Sequence, residues 1–439
     1  MKRLSRPWKV ALVTVAGVVG AAAIVVAAVN ANADAEWERR LAELRHSGQP
    51  TSLLELARKP PPPEQNAVTY LRRAQDHLDS IDKETSAAYE NESDDDQEAI
   101  DRGRPTPRFI EAIRSALAAY PKTVPLLEQA AGCPDYDAQL DYTADTDAFM
   151  DELHQQILLT RRSLRILNYA ATLQIADGDY DGAIGTGLTM LALCRHVDRD
   201  PTIMGCLVAL ACREVATSTI DLALRSGEIF DAARDALDAE LARHDVVDAY
   251  RKSLITDQAF GLQVLQEVAA GKHRDQLKGN DAYWYRAAGF KNDRHAYLDY
   301  MAGSIAAAAL PYSERKNRPA IAKALAEVGL LGEFVAPATE AANAAVNRTQ
   351  VYLCCLRILS AIQRFDKAHP GSEPTFALLN LPEETTTDPF NGQPLHLEKK
   401  PGGWLIYSVG RNLKGDGGKV VGAIHDCGFG PLPRIRRDD

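Results

Sequence analysis

Thr387-Asp388-Pro389-Phe390-Asn391-Gly392-Gln393-Pro394-Leu395 opens the stretch on which the fold turns. It continues in Gly403-Trp404-Leu405-Ile406-Tyr407-Ser408-Val409-Gly410 and in Lys414-Gly415-Asp416-Gly417-Gly418. Asp-Pro and Asn-Gly mark tight turns, because proline fixes φ while asparagine and glycine accept positive φ. Trp404 to Val409 alternates aromatic, β-branched and small side chains, as a short strand does. Turn, strand, turn, strand and Gly-rich loop predict a small antiparallel meander. No other segment carries a clear β signal.

Directly upstream, Glu340 to Lys367 reads as a long helix. Val351, Cys355, Ile358, Ile362 and Phe365 recur at steps of four and three, an apolar seam that must pack on something, and His369-Pro370-Gly371 ends it.

This order of motifs resembles the C-terminal part of the major pseudopilin of type II secretion. That family carries a D-P-x-G-x-P turn, a G-x-x-L-Y-S-x-G strand and an acidic Gly-rich loop that holds calcium. The chain is still more similar to a group of uncharacterised membrane-anchored bacterial proteins that place such a module after a long helical region. Gly48-Gln49-Pro50, the prolines 60–63 and Glu64-Gln65-Asn66-Ala67 extend that similarity towards the other end. The resemblance implies that the meander folds against the helix 340–367. It departs at the N-terminus, which lacks the Gly-Phe cleavage site and the helical Glu of a pseudopilin, so a pilus subunit is not expected. For the loop, Asn412, Asp416 and Asp426 offer hard oxygen ligands and the glycines let carbonyls turn inward, so calcium is the expected ion. Lys414 and Lys419 oppose a cation there.

At the other end, Met1 to Lys9 is basic and Val10 to Val29 is free of charge. Twenty residues of helix span about 30 Å, the thickness of the hydrocarbon core. The positive-inside rule leaves the N-terminus cytoplasmic and the bulk of the chain outside, on the bacterial cytoplasmic membrane. Ala31-Asn32-Ala33 admits a cleaved signal peptide instead.

The chain then divides into 1–33 (basic tip and anchor), 34–66 (juxtamembrane helix and Pro-rich spacer), 67–335 (helical body) and 336–439 (long helix and meander). In the body, Leu153, Ile157, Leu164, Leu167, Ala171 and Ile175 form a helical stripe. Gly178-Asp179-Tyr180 turns the chain into a return helix through Ala183, Ile184, Gly187 and Leu191. The hairpin looks like a single tetratricopeptide unit. The apolar run Ile203–Cys212, centred on Leu207, is expected to be the core helix, and the acidic run Glu92–Glu98 a solvated loop. Tyr283-Trp284-Tyr285 among basic residues reads as a loop packed on the body.

A net charge of −10 excludes a basic nucleic-acid surface. Seven cysteines with no C-x-x-C pair read as buried small hydrophobes. No G-x-S-x-G, Walker, H-E-x-x-H or dinucleotide motif occurs. His196 with Asp198 and Asp200, and His244 with Asp245 and Asp248, are local clusters expected to be solvated.

The expected fold is therefore mainly α: a transmembrane helix, a tetratricopeptide-like helical-hairpin body and a small α+β module resembling a pseudopilin head. The expected function is a non-enzymatic envelope scaffold that binds other envelope proteins. The alternative is a membrane-anchored hydrolase with its site between body and head.

Overall fold

The structure is a computed structural model that describes residues 34–431, apart from 102, 200–201, 271, 273–289, 316–317, 329–338 and 421–424. The expected membrane span, Ala31-Asn32-Ala33 and Tyr283-Trp284-Tyr285 lie outside the described residues. The fold is mainly helical with one small three-stranded sheet. The described residues pack as two compact units, one within 1–55, 258–303 and 319–336 and the other within 56–257, 304–318 and 337–439. The second unit thus joins most of the body to the C-terminal module.

In the first unit, helix α1 (34–46) buries Trp37 and Leu41. Arg294 lies over the Trp37 ring at 4.8 Å and pairs with Asp34 at 2.6 Å. Gly48, at φ 76°, ends the helix, as the sequence leads one to expect.

The second unit holds helices α2 (Ala67–Glu90), α3 (Asp94–Asp101), α4 (Pro107–Ala119), α5 (Thr123–Gly132), α6 (Thr146–Ala176), α7 (Tyr180–Val197), α8 (Ile203–Ser226) and α9 (Asp231–Leu241). Helix α10 (Val246–Ala269) begins in this unit. The Glu64-Gln65-Asn66-Ala67 motif now has a physical meaning. Asn66 caps α2 by accepting the Val68 N–H, and it clamps the segment after α5, accepting the Asp137 N–H and donating to the Asp137 carbonyl. From Asp94 onward the acidic run 92–98 is helical, in α3, rather than a loop. Ser93 opens it by accepting the Asp96 N–H, and its first-turn acids favour the positive end of the helix dipole.

Helices α6 and α7 make the expected hairpin. Gly178, at φ 81°, supplies the turn, and Asp179 caps α7 by accepting the Gly182 N–H. Helix α8 packs on α7 so closely that a Cβ on Gly187 would stand 2.4 Å from Ile220 Cγ1. The apolar run is indeed central, but its phase differs from expectation: Cys206, Ala209 and Leu210 are buried while Leu207 is half-exposed. Helix α8 is the one described helix with the length and composition to cross a membrane, yet 61% of its apolar window is buried inside the protein. Its outward face stays apolar: Met204 is 40% and Val215 43% exposed, with Leu207, Val208 and Ala211 between them.

The chain continues through α11 (Phe290–Ala308), α12 (Tyr312–Arg315) and α13 (Pro319–Glu327) to the long α14 (Thr339–Ala368), then the short α15 (Phe376–Leu379) and α16 (Glu383–Thr386). The seam of α14 is fully buried at Val351, Cys355, Ile358 and Ile362. It packs on α8 from one side and on the sheet from the other. Arg348 pairs with Glu214 of α8, and the Gln363 amide donates to the Leu224 carbonyl at 2.7 Å.

The meander is as read: β1 (His396–Lys400), β2 (Gly403–Ser408) and β3 (Cys427–Phe429), antiparallel, with β2 central. Strand β2 is buried on both faces because Cys355 of α14 donates its thiol to the Ile406 carbonyl, while Gly418 of the following loop lies over Leu405 and Tyr407. Arg225 of α8 donates to the Trp404 carbonyl at 2.9 Å and so ties the strand to the helical body. Six of the seven cysteines are buried, as expected.

Candidate functional site

The chemistry-bearing groups of the C-terminal module are its carboxylates. The turn after α16 is closed by the Asp388 N–H donating to the Gln393 carbonyl at 2.6 Å and the Gly392 N–H donating to the Asp388 carbonyl at 2.8 Å. Gly392 stands at φ 73°, the left-handed region that favours glycine. The Asp388 side chain is completely buried. Its Oδ1 accepts the Phe390 N–H at 2.8 Å and the Ser408 hydroxyl at 2.7 Å, and its Oδ2 accepts the Val409 N–H at 3.0 Å. Ser408 Oγ in turn accepts the Gly410 N–H at 3.0 Å. The Asp-Pro turn and the Tyr-Ser-x-Gly strand end are therefore one device, joined by a carboxylate that takes three donors. Gly410 is at φ 65°, and a Cβ there would meet the His425 carbonyl oxygen at 2.1 Å. The strand end and the segment entering β3 run backbone against backbone.

The structure brings Asn412, Asp416 and Asp426 into one loop. Leu413, Gly417 and Gly418 bend it with φ of 61°, 74° and 78°. Asn412 Oδ1 accepts the Lys414 N–H, and its amide donates to Asp416 Oδ2 at 2.8 Å. Asp426 is buried at 1% exposure, and its carboxylate accepts the N–H groups of Asp416 at 3.0 Å and Gly418 at 2.7 Å. His425, which the sequence reading passed over, places Nδ1 3.1 Å from Asp416 Oδ2. The hydrogen bond from Asn412, then that from His425, holds the Asp416 carboxyl below the usual carboxylate range, and Lys419 adds to this. The oxygen donors suit a hard cation such as calcium, and each carboxylate retains lone pairs beyond those the N–H groups use. Among the described residues no three His, Cys, Asp or Glu side chains converge as a metal set.

A shallow cleft lies where α14 meets the head, lined by Ala344, Arg348, Phe390, Gly410, Arg411 and His425. Its arginines are matched from nearby, Arg348 by Glu214 and Arg411 by Glu340, while His425 contacts Asp416.

The two histidine side chains are not solvated, contrary to expectation, although Asp245 is exposed. His196 is 5% exposed and stacks on Tyr136 with centroids 6.0 Å apart. Burial, with the charge of Arg199 adding to it, pushes its imidazole down to about 4. Asp198 instead pairs with Arg213, and Asp200 lies outside the described residues. His244 is fully buried against Glu240 and Arg213. Asp245 caps α10 by accepting the Asp248 N–H, while Asp248 pairs with Lys252 and Arg251. The clusters therefore come apart in three dimensions. Tyr136 for His196 and Arg213 for His244 come from distant parts of the chain, which local spacing cannot reveal.

No protein-family model matches the chain, and neither the curated proteins nor the solved structures give a match.

Proposed function

We propose that the protein is a membrane-anchored, extracytoplasmic scaffold of the bacterial envelope that binds other envelope proteins through its helical body. In this reading the body is a tetratricopeptide-like hairpin stack, and the meander is a pseudopilin-like head whose loop takes calcium. The basic residues of 1–9 and the charge-free 10–29 support the anchor.

The observation that carries the binding reading is the outward face of α8. Met204, Leu207, Val208, Ala211 and Val215 recur at helical spacing and leave an apolar stripe open to solvent beside a fully packed inner face. Such a stripe matches the apolar face of a partner helix, recognised by anchors at i, i+3, i+4 and i+7. A photo-crosslinking residue at Met204 or Val215 should give discrete adducts with envelope proteins in intact cells. The same residue at Glu84, exposed on α2, should give none. Equal labelling from both positions, or none from α8, refutes the reading.

For the loop, the physical need is clear. Asn412, Asp416 and Asp426 hold a Gly-rich segment whose ordering is entropically costly. An ion bound only by the folded state adds RT ln(1 + [L]/Kd), about 2.7 kcal/mol at a hundredfold excess over Kd. The full-length protein should resist unfolding of the head better in calcium than in chelator, magnesium should do less, and Asp416→Ala should abolish the difference. Identical melting in calcium and chelator rules the ion out.

A further inference from the structure

Inside the helical body, five ionisable side chains form a chain across three helices and a turn. Asp198, at the end of α7, pairs with Arg213 of α8, whose residue exposure is 1%. Arg213 Nε donates to His244 Nδ1 at 3.1 Å, reaching the turn between α9 and α10. The other ring nitrogen of His244 lies 3.3 Å from Glu240 Oε1 of α9. Glu240 is also gripped by Arg195 of α7, at 2.7 Å and 3.2 Å.

An arginine does not give up its proton, so Arg213 can only donate. Its bond to Nδ1 therefore requires that nitrogen to be bare, with the ring neutral and its proton on Nε2 facing Glu240. Each carboxylate then has its arginine, Asp198 with Arg213 and Glu240 with Arg195, while the exposed Arg243 also reaches Glu240 at 3.4 Å. A proton added to His244 upsets this arrangement. It sets an N–H against the Arg213 N–H, and it adds a positive charge on a side chain of 0% exposure, beside the equally buried Arg213.

The groups that face His244 are few. From α7 they are Arg195, Asp198 and the buried Cys194; from α8, Arg213; from α9, Glu240, with Arg243 on its outer side. From α10, Asp245 and Asp248 are engaged on their own helix. The two carboxylates draw a proton in, but both are already matched by arginines. Burial outweighs them and holds the imidazole below its ordinary range.

We propose that the Arg213–His244 contact is a proton-sensitive latch, which fastens the α9–α10 turn to α8 at neutral pH and releases it in acid. The proton enters as the turn opens, because His244 can carry it only in water.

The test is hydrogen exchange on the full-length protein, corrected for the intrinsic pH dependence of exchange. If only the open turn binds the proton, with an ordinary imidazole value near 6.5, opening of residues 241–249 grows about 25-fold from pH 7 to pH 5. Amides of the α14 seam serve as the internal reference and should hold. His244→Gln keeps an acceptor for Arg213 but takes no proton, so its turn should open equally at both pH values. Unchanged protection in the wild type, or the same pH response in the glutamine variant, overturns the latch. Ring-nitrogen chemical shifts of wild-type His244 test it without any substitution. A bare Nδ1 at pH 7 is expected, and a proton found on Nδ1 refutes it.

Discussion

Replacing Asp388 by alanine should unfold the C-terminal module. The substitution strands the Phe390 N–H, the Val409 N–H and the Ser408 hydroxyl around a site of 0% exposure, where water cannot replace the lost acceptor. Hydrogen bonds to a charged group contribute roughly 1.5–3 kcal/mol each, so the loss of three is about 4.5–9 kcal/mol, comparable with the whole stability of a small domain. Asp388→Asn should do about half the damage, because its amide keeps one acceptor oxygen but turns a donor towards another donor. Ser408→Ala, which removes one donor to Asp388 and leaves the Gly410 N–H without its acceptor, should cost roughly 2–4 kcal/mol. Chemical denaturation followed by circular dichroism, with limited proteolysis of the 410–426 loop, measures all three. An alanine variant within 1 kcal/mol of wild type would refute the clamp.

The second large effect is expected at Arg225. It is buried with Asp221, one turn before it on α8, at 2.8 Å, and it reaches the Trp404 carbonyl of β2. Arg225→Met removes the tie between body and head and leaves the Asp221 carboxylate buried alone. Breaking a buried pair from one side costs roughly 3–5 kcal/mol. The loss should depend on pH with a defined sign. Burial pushes the Asp221 carboxyl up to about 6 even against the pull of Arg225. A carboxyl raised above its unfolded value favours the folded state when protonated, and that contribution fades as pH rises through the folded value. Without Arg225 the penalty should thus grow from pH 5 to pH 8. Adding Asp221→Leu should recover most of the stability, since replacing both members of a buried pair with apolar groups is often close to neutral. A double variant as unstable as the single one would show that the cost lies in the lost Trp404 contact instead.

What the sequence revealed follows from the range of each signal. The β2 strand, the α14 seam and the α6–α7 turn were legible because their evidence lies within a few neighbouring residues: alternation, three-and-four spacing, a Gly-Asp turn. The apolar run of α8 was legible as a core helix but not in phase. With no polar residue between Ile203 and Cys212, nothing in the run says whether Leu207 or Leu210 faces inward. The acidic run 92–98 shows no apolar periodicity and so reads as a loop, while the helix in it starts from the Ser93 cap. The roles of Asp388, His196 and His244 were out of reach for a common reason. Asp388 finds Ser408 20 residues ahead, and His244 finds Arg213 31 residues behind. His196 stacks on a tyrosine presented by a segment before α6. Spacing along the chain does not encode such meetings. The loop lay between these cases: Asn412, Asp416 and Asp426 were named from ligand chemistry, while His425 was missed although it adjoins Asp426.

The packing of α14 on α8 has a consequence for biosynthesis. A polypeptide leaves the ribosome with its N-terminal part first. The helical body therefore emerges well before residues 339–368, which bury one side of α8 through the Cys355–Ile358 seam and the Gln363–Leu224 contact. In that interval a long, apolar helix of the body is bare on a face that the finished protein conceals. Partly made chains that expose apolar surface are prone to aggregate or to recruit chaperones. The nascent body should thus need a holding factor until the last quarter of the chain arrives, and a truncation before α14 should be cleared by proteases rather than accumulate as a smaller folded protein.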